Sequence, residues 1–587
     1  MNSYVKILAW LMLMMCGGQT LTAQERAEAA TPKWATKVQK SILSVISYDQ
    51  NKEMLHSGTG VCVSSDGIVV ADYAVLRDAW SAVVVDQSGN KYDVERILGA
   101  DDTYGVVRFK TAARKVPALT PAPSSAGTDG TTVYALGYSK TKQVTCPSAR
   151  IEKKEVVDAR FAYYTLTKAF KDAATGYALF DADGQWLGLV QSPIRNKSYA
   201  IDARFGTDLS IAAIQSKSAS LALNCIHIRK GIPETAEEAL VYIYFQSRSA
   251  NNDDYIDMLN LFVQTYPDNA EGYLRRVTPL TDMCRFDEAE ADMQTYLRLA
   301  ADKMAAHGNV ANALYTKLLY QPEPAYEKWN YDLAVDHVNQ ALSLANEMLQ
   351  GASTDSLRRQ AEANVLQYQL QKAQILMAKA DERGALAIYE ALNSGPYRSA
   401  GTLYAASMAH EAAGDSLDIA IALMDSAIAT FPEPMPQEAA NYVMRRGQLY
   451  AKVKRYRDAV KDYNQYCYLN NNKVSAQFYY DRSALEVEAR MYQQAIDDIN
   501  QAIALSPRTV LFYVEKSGIQ LRVNMLDDCI ATARQALALD ANNADALRIQ
   551  GYAQLQKGDR AAARQSLDAA VALGDVTAKE IIEKYMK

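Results

Sequence analysis

Thr175 stands in the stretch Ala174-Thr175-Gly176-Tyr177-Ala178, where a hydroxyl beside a glycine could attack an acyl group. Such a hydroxyl is inert until a base takes its proton, and an imidazole base needs a carboxylate to orient it. No histidine lies between His56 and His227. The nearest basic groups in sequence are Lys168 and Lys171, which read as surface lysines on a loop. Gly414-Asp415-Ser416 has the letters of a nucleophile motif but falls between two helical segments. Metal chemistry finds no ligand set: Cys62, Cys146, Cys225, Cys284, Cys467 and Cys529 form no CxxC pair, and no histidine stands at ligand spacing from them. These cysteines read as small core residues, with a disulfide in the first domain possible in an oxidising compartment. There is no phosphate-cradling glycine loop and no dinucleotide fingerprint, so no cofactor is expected. The acid pairs Asp101-Asp102, Asp497-Asp498 and Asp527-Asp528 read as helix caps or solvated faces.

The elements around Thr175 read as strands. From residue 41 to 230 the chain carries β-branched runs such as Gly60–Ala71, Ala82–Asp86 and Gly105–Phe109. Ser65-Asp66-Gly67, Ser88-Gly89-Asn90 and Asp183-Gly184 supply turns between such runs. Short strands at regular spacing predict an all-β barrel or sandwich. Pro117–Gly130 reads as a surface crossover between two halves. Beyond Pro233 strand alternation gives way to helical spacing, placing a boundary near residues 230–233.

The run SVISYDQNKEMLHSGTGVCVSSDGIVVADYAVLRDA resembles the first barrel of trypsin-like serine proteases, of the high-temperature-requirement type. ILGADDTYGVVRFK resembles the strand bearing the family's catalytic Asp, and AATGYALFDADGQWLGLVQ its nucleophile loop. SYAIDARF resembles the strand that follows. The resemblance implies a double barrel and puts the catalytic His at Ala74, the Asp at Gly105 and the Ser at Thr175. All three catalytic residues are absent. Tyr177 replaces a glycine that shapes the oxyanion turn in the family. The expectation is a pseudoprotease with no catalytic residue of its own.

The C-terminal half repeats. Gly447 with Ala459, Ser483 with Ala495, Ser517 with Cys529 and Gly551 with Ala563 each pair a small residue with another twelve positions on. The second members recur after 36, 34 and 34 residues. Small residues let antiparallel helices approach, and units of about 34 residues must stack to bury their apolar faces. Gly447, Tyr450, Tyr456, Ala459 and Tyr463 follow the pattern of the tetratricopeptide repeat, which this half resembles. Phe286 with Ala289, Tyr331 with Ala334, and Gly384-Ala385 with Tyr389 mark looser units upstream, making about eight. The resemblance implies a superhelix that binds a peptide or protein on its concave face. It offers Asn441, Met444, Gln448, Gln477, Tyr480, Arg548 and Tyr552 as peptide-binding candidates.

The chain as a whole is 587 residues long with net charge -6. An acidic chain without a Lys/Arg run offers nucleic acid no footprint. Lys6, the apolar run Ile7–Met15 and Leu21-Thr22-Ala23 read as a secretory signal cut before Gln24. Met15 before Cys16 is a poor lipobox, so a lipoprotein is the lesser alternative. No later stretch has the length of a transmembrane helix. The predicted architecture is multidomain: signal peptide 1–23, linker 24–40, an all-β trypsin-like double barrel over 41–230, an all-α tetratricopeptide-repeat superhelix over 231–574, and a capping helix over 575–587. The expected function is that of an exported, periplasmic or outer-envelope binding scaffold with a protein or peptide partner. The rival readings are an unconventional serine/threonine-type endopeptidase, or a structural organiser of an envelope complex through the repeats.

Overall fold

The computed structural model describes residues 31–139, 144–171, 174–248 and 251–586. The signal peptide and Cys16 lie outside the described residues. The chain divides into two compact units, one ending at Ala301 and the other beginning at Asp302.

The first unit opens with twelve strands. β1 (Ile42–Tyr48), β2 (Met54–Cys62), β3 (Ile68–Asp72), β4 (Ser81–Val85), β5 (Lys91–Asp101) and β6 (Val106–Thr111) close one barrel in the order β1-β2-β3-β6-β5-β4. β7 (Thr132–Leu136), β8 (Ser148–Val157), β9 (Phe161–Leu166), β10 (Ala178–Phe180), β11 (Trp186–Val190) and β12 (Tyr199–Asp202) close a second with the same connectivity. Closure leaves no free sheet edge, and alternation turns every second side chain inward. The barrels share an apolar interface in which Ile42, Val61, Val70 and Val106 meet Leu136, Phe180, Trp186 and Ile201. The expected crossover runs between the barrels: Leu119 N–H donates to Cys62 O at 2.9 Å and Ala122 N–H to Trp186 O at 2.8 Å. Cys62, Cys146 and Cys225 are all free thiols, so the disulfide considered for this domain does not form.

The helices that begin the helical half do not stand apart from the barrels. Tyr242 and Ile243 of the helix Ala236–Gln246, with Leu259 and Phe262 of Asn252–Thr265, join the first barrel's core beside Ile97, Phe109 and Val84. Arg96 of β5 clasps Asp257 with two hydrogen bonds, at 2.5 and 2.9 Å. The change of periodicity near residue 230 therefore bounds neither the strands, the last of which ends at Asp202, nor the compact unit, which runs on to Ala301. A chain ending at residue 230 is expected to be less stable than one ending at 301 by about 3 kcal/mol or more, since several large apolar contacts would face water. Denaturant unfolding of the two truncated chains checks this, and equal midpoints would overturn it.

The second unit is helical. Among the described residues it holds seven antiparallel helix pairs and a final helix, Val576–Tyr585; two further pairs close the first unit, one unit more than the eight counted from sequence. The long upstream helices Lys303–Tyr320, Tyr331–Gln350 and Asp355–Ala378 account for the loose repeat spacing there. The small-residue pairs fall at helix crossings. Ala459, Ala495, Cys529 and Ala563 have no exposed surface, and Ser483 and Ser517 are buried. A Cβ added at Gly551 would stand 2.8 Å from Leu567 Cγ, and one at Gly447 would stand 3.0 Å from Asp462 Cβ. Helix crossings this tight leave room for nothing larger than a small residue. Val576–Tyr585 packs on Leu567 and Ala570 through Ala578, Ile581 and Ile582.

Candidate functional site

β3 and the nucleophile turn meet in a cleft between the barrels. The cleft has a volume of about 430 Å³; Asp72 and Ala74 from the first barrel and Thr175 and Tyr177 from the second line it, with His56, Tyr138 and the strand segment 57–59. Two of the three triad positions, Ala74 and Thr175, thus come together. The third, Gly105, lies at the β5–β6 turn with φ +64 and accepts a hydrogen bond from Tyr73 N–H at 2.9 Å. The turn needs left-handed backbone here, which glycine adopts freely.

One carboxylate occupies the middle of this arrangement. Asp72 ends β3, and its Oδ1 accepts from Ala74 N–H at 2.8 Å. A Cβ at Gly105 would stand 3.6 Å from Asp72 Oδ2, and one at Gly176 would stand 3.1 Å from Asp72 Cβ. Asp72 therefore adjoins the positions expected for His and Asp and the glycine after the position expected for Ser. Burial pushes its carboxyl above the ordinary carboxylate range, against the opposing pull of the Ala74 N–H. Among the described residues no Lys or Arg forms an ion pair with it. The sequence reading passed over Asp72; an acid closing a strand buried on both faces was the available signal.

The nucleophile turn itself forms. Tyr177 N–H donates to Ala174 O at 3.0 Å, Gly176 N–H to Val190 O at 2.7 Å, and Gly176 takes φ +79. The substitution of Tyr177 for glycine is absorbed by a neighbour: its ring lies over Gly137, where an added Cβ would come within 2.2 Å of the ring. Thr175 Oγ1 has Ser192 Oγ as its hydrogen-bond partner, at 3.5 Å. Lys168 and Lys171 are exposed and outside the cleft lining.

His56 lies within β2, which begins at Met54, and borders the cleft. Among the described residues, neither its imidazole nor the Asp72 carboxylate comes within hydrogen-bonding distance of Thr175 Oγ1. His227 lies elsewhere, stacked on Trp80 at 4.5 Å. It lines a larger cavity of about 700 Å³ against the first helix pair, where Lys230 Nζ donates to Ile228 O at 2.6 Å. Burial brings Lys230 down to about 8, but its ammonium is already held by backbone carbonyls.

The seven repeat residues lie on three helices: Asn441, Met444 and Gln448 on Ala440–Lys452, Gln477 and Tyr480 on Ala476–Glu488, Arg548 and Tyr552 on Ala544–Lys557. Several have partners within the array. Met444 packs on Tyr463 and Phe478, Tyr480 on Phe512, and Gln477 donates to Asp481 at 2.8 Å. Arg548 is paired with Asp545 and, at 2.8 Å, with Asp575; Tyr552 faces Tyr585 with ring centres 6.3 Å apart. None of the seven lines the groove of about 620 Å³ between Lys303–Tyr320 and Asp355–Ala378, whose walls carry Asn309, Asn312, Gln367, Gln371 and Gln374. Sequence reasoning missed this groove because the upstream repeats are irregular.

A second feature was missed. Arg276 with Asp292, Arg446 with Asp462 and Arg482 with Asp498 form two-pronged ion pairs between the helices of one repeat, each sixteen residues apart. In each, the guanidinium also reaches back to the preceding unit, at Asn260, Asp425 or Asn464. Asp498 is 7% exposed, so its reading as a cap or solvated residue is corrected.

Residues 58–189 match the family described as the trypsin-like peptidase domain. The anti-sigma-I factor RsgI9 of Acetivibrio thermocellus is 24% identical over 172 residues, 29% of this chain and 24% of that protein. The serine endoprotease of Yersinia pestis aligns at 18% identity and TM-score 0.26, over 30% of this chain and 62% of that one. The HtrA-type protease AlgW with tripeptide aligns at 17% identity and TM-score 0.26, over 30% of this chain and 60% of that one. The chain thus spans less than two thirds of each. The twelve-stranded part of this chain is a trypsin-like double barrel, and a long helical array follows it.

Proposed function

We propose that this chain is an exported, non-catalytic scaffold that holds a peptide segment in the inter-barrel cleft and a protein partner on the helical array. What carries the reading is the identity of three residues: Ala74 and Thr175 in the cleft and Gly105 at the β5–β6 turn stand where the trypsin-like resemblance expects His, Ser and Asp. Loss of the base and its orienting carboxylate lowers amide hydrolysis by on the order of 10⁴-fold. The barrel and its cleft remain, so binding outlives bond-breaking. Export rests on the leader at residues 1–23; among the described residues no helix is long and apolar enough to cross a membrane. On the array, the reading places the partner on Asn441, Gln448 and the amide-walled groove.

His56 supports a second reading, a threonine-type peptidase in which His56 takes the Thr175 proton. It requires the imidazole to reach a hydroxyl whose hydrogen-bond partner is Ser192. Turnover of casein and of internally quenched peptides by the full chain, by Thr175→Ala and by His56→Ala separates the two. Product at the blank rate for all three is the expected result. Cleavage by the full chain that both substitutions abolish would replace the scaffold reading with the peptidase one.

A further inference from the structure

We propose that the cleft selects a ligand with a basic side chain, which enters the space left at Ala74 and pairs with Asp72. The inference rests on the peptide-binding reading and names the chemistry that reading leaves open. Among the described residues of the lining Asp72 is the only carboxylate, and they include neither Lys nor Arg, with His56 the one basic side chain. Its Oδ1 is held by Ala74 N–H, which fixes the carboxylate, while Oδ2 faces Gly105 with nothing larger than a glycine opposite. Ala74 is exposed to the cleft and contributes only a methyl group where the family resemblance expects an imidazole. The result is a partly buried carboxylate beside the nucleophile turn at Gly176, in the wall of a cleft open to a side chain. A desolvated carboxylate without a cation is costly, and an incoming guanidinium or ammonium relieves that cost with a charge-assisted hydrogen bond. A neutral side chain of the same shape cannot. The hydroxyls of Thr59 and Thr175 and the ring of Tyr138 border the same space and suit the aliphatic stem of such a side chain.

The test uses the full-length chain and two fluorescent, end-blocked heptapeptides of Ala, Val and Ser, one with a central Arg and one with citrulline, its neutral isostere. Anisotropy is expected to show the Arg peptide binding about tenfold tighter. Asp72→Asn should bring the Arg peptide to the citrulline level and leave the citrulline peptide unchanged. Ala74→Leu, an exposed position that tolerates a larger residue, fills the space and should weaken the Arg peptide while the carboxylate stays in place. Equal binding of both peptides to the full chain, or an Arg preference that survives Asp72→Asn, would overturn the selectivity while leaving peptide binding standing. Binding of neither peptide, up to millimolar concentration, would remove the peptide-binding reading and this inference with it.

Discussion

Asp498→Ala is expected to destabilise the helical unit by about 3–5 kcal/mol, the cost of leaving a buried cation without its counter-charge. Asp498 accepts from Arg482 Nε at 2.5 Å and Nη2 at 2.7 Å, and both side chains are nearly closed to water. The guanidinium is hemmed in by the Phe478 and Tyr479 rings, at 5.3 and 5.5 Å, so it cannot swing out to solvent without undoing that packing. Its third contact, to Asn464 of the preceding unit at 3.0 Å, ties the loss to the neighbouring repeat. In a stacked array, stability is a sum of units and interfaces, and this residue enters both. Asp568→Ala is the control: its pair with Arg564 is half exposed on both sides and should cost under about 1 kcal/mol. Denaturant unfolding followed by helix content compares the two. Equal losses would show that the buried pairs are ornament rather than part of the repeat's framework.

The same pairs show where sequence reading reached its limit. The small residues at Gly447, Ser483, Ser517 and Gly551 announced the helix crossings because size at a crossing is dictated by distance alone, and each is buried as that logic requires. The arginines sixteen positions before Asp292, Asp462 and Asp498 follow as regular a spacing. Charge on a helix is ordinarily solvated, however, and only burial distinguishes a framework ion pair from a surface one. At the two remaining regular positions the pair is gone, with Lys516 facing Thr532 and Gln550 facing Ser566 in register, which further hides the pattern.

In the barrels, periodicity and turns revealed the strands and their two halves, and the convergence of Ala74 with Thr175 followed from the resemblance. What could not be read was which neighbours the closed sheets bring to the cleft. His56 is over a hundred residues from Thr175, and Asp72 is two from Ala74 with its carboxylate turned toward Gly105. Both placements depend on strand order and register, which local pattern does not carry. The docking of Phe262 and Ile243 on the first barrel is of the same kind: their helices have apolar stripes in either case, and only the fold says against what they pack.

Glu486 sets a pH dependence that should be large enough to measure on the whole chain. It lies in the helix Ala476–Glu488 at 3% exposure, in the repeat position that Gln520 and Gln554 hold in the next two units. Its Oε2 is buried without a hydrogen-bond partner. Burial, reinforced by the negative charge of Asp498, raises its carboxyl to about 8. In the unfolded chain the same group titrates near its ordinary value of about 4.3. Between those two values the folded state retains a proton that the unfolded state has given up. Stability therefore falls as pH rises through this window, by up to about 1.4 kcal/mol per pH unit, and levels off above pH about 8. Glu486→Gln, which keeps the shape and carries no charge, should remove this slope. The stability of the variant relative to the parent should rise from pH 5 to pH 8, by several degrees in melting temperature. Thermal unfolding at pH 5, 6.5 and 8 decides the matter: parallel curves for parent and variant would mean that Glu486 is ionised in the folded array and compensated by a cation or by water.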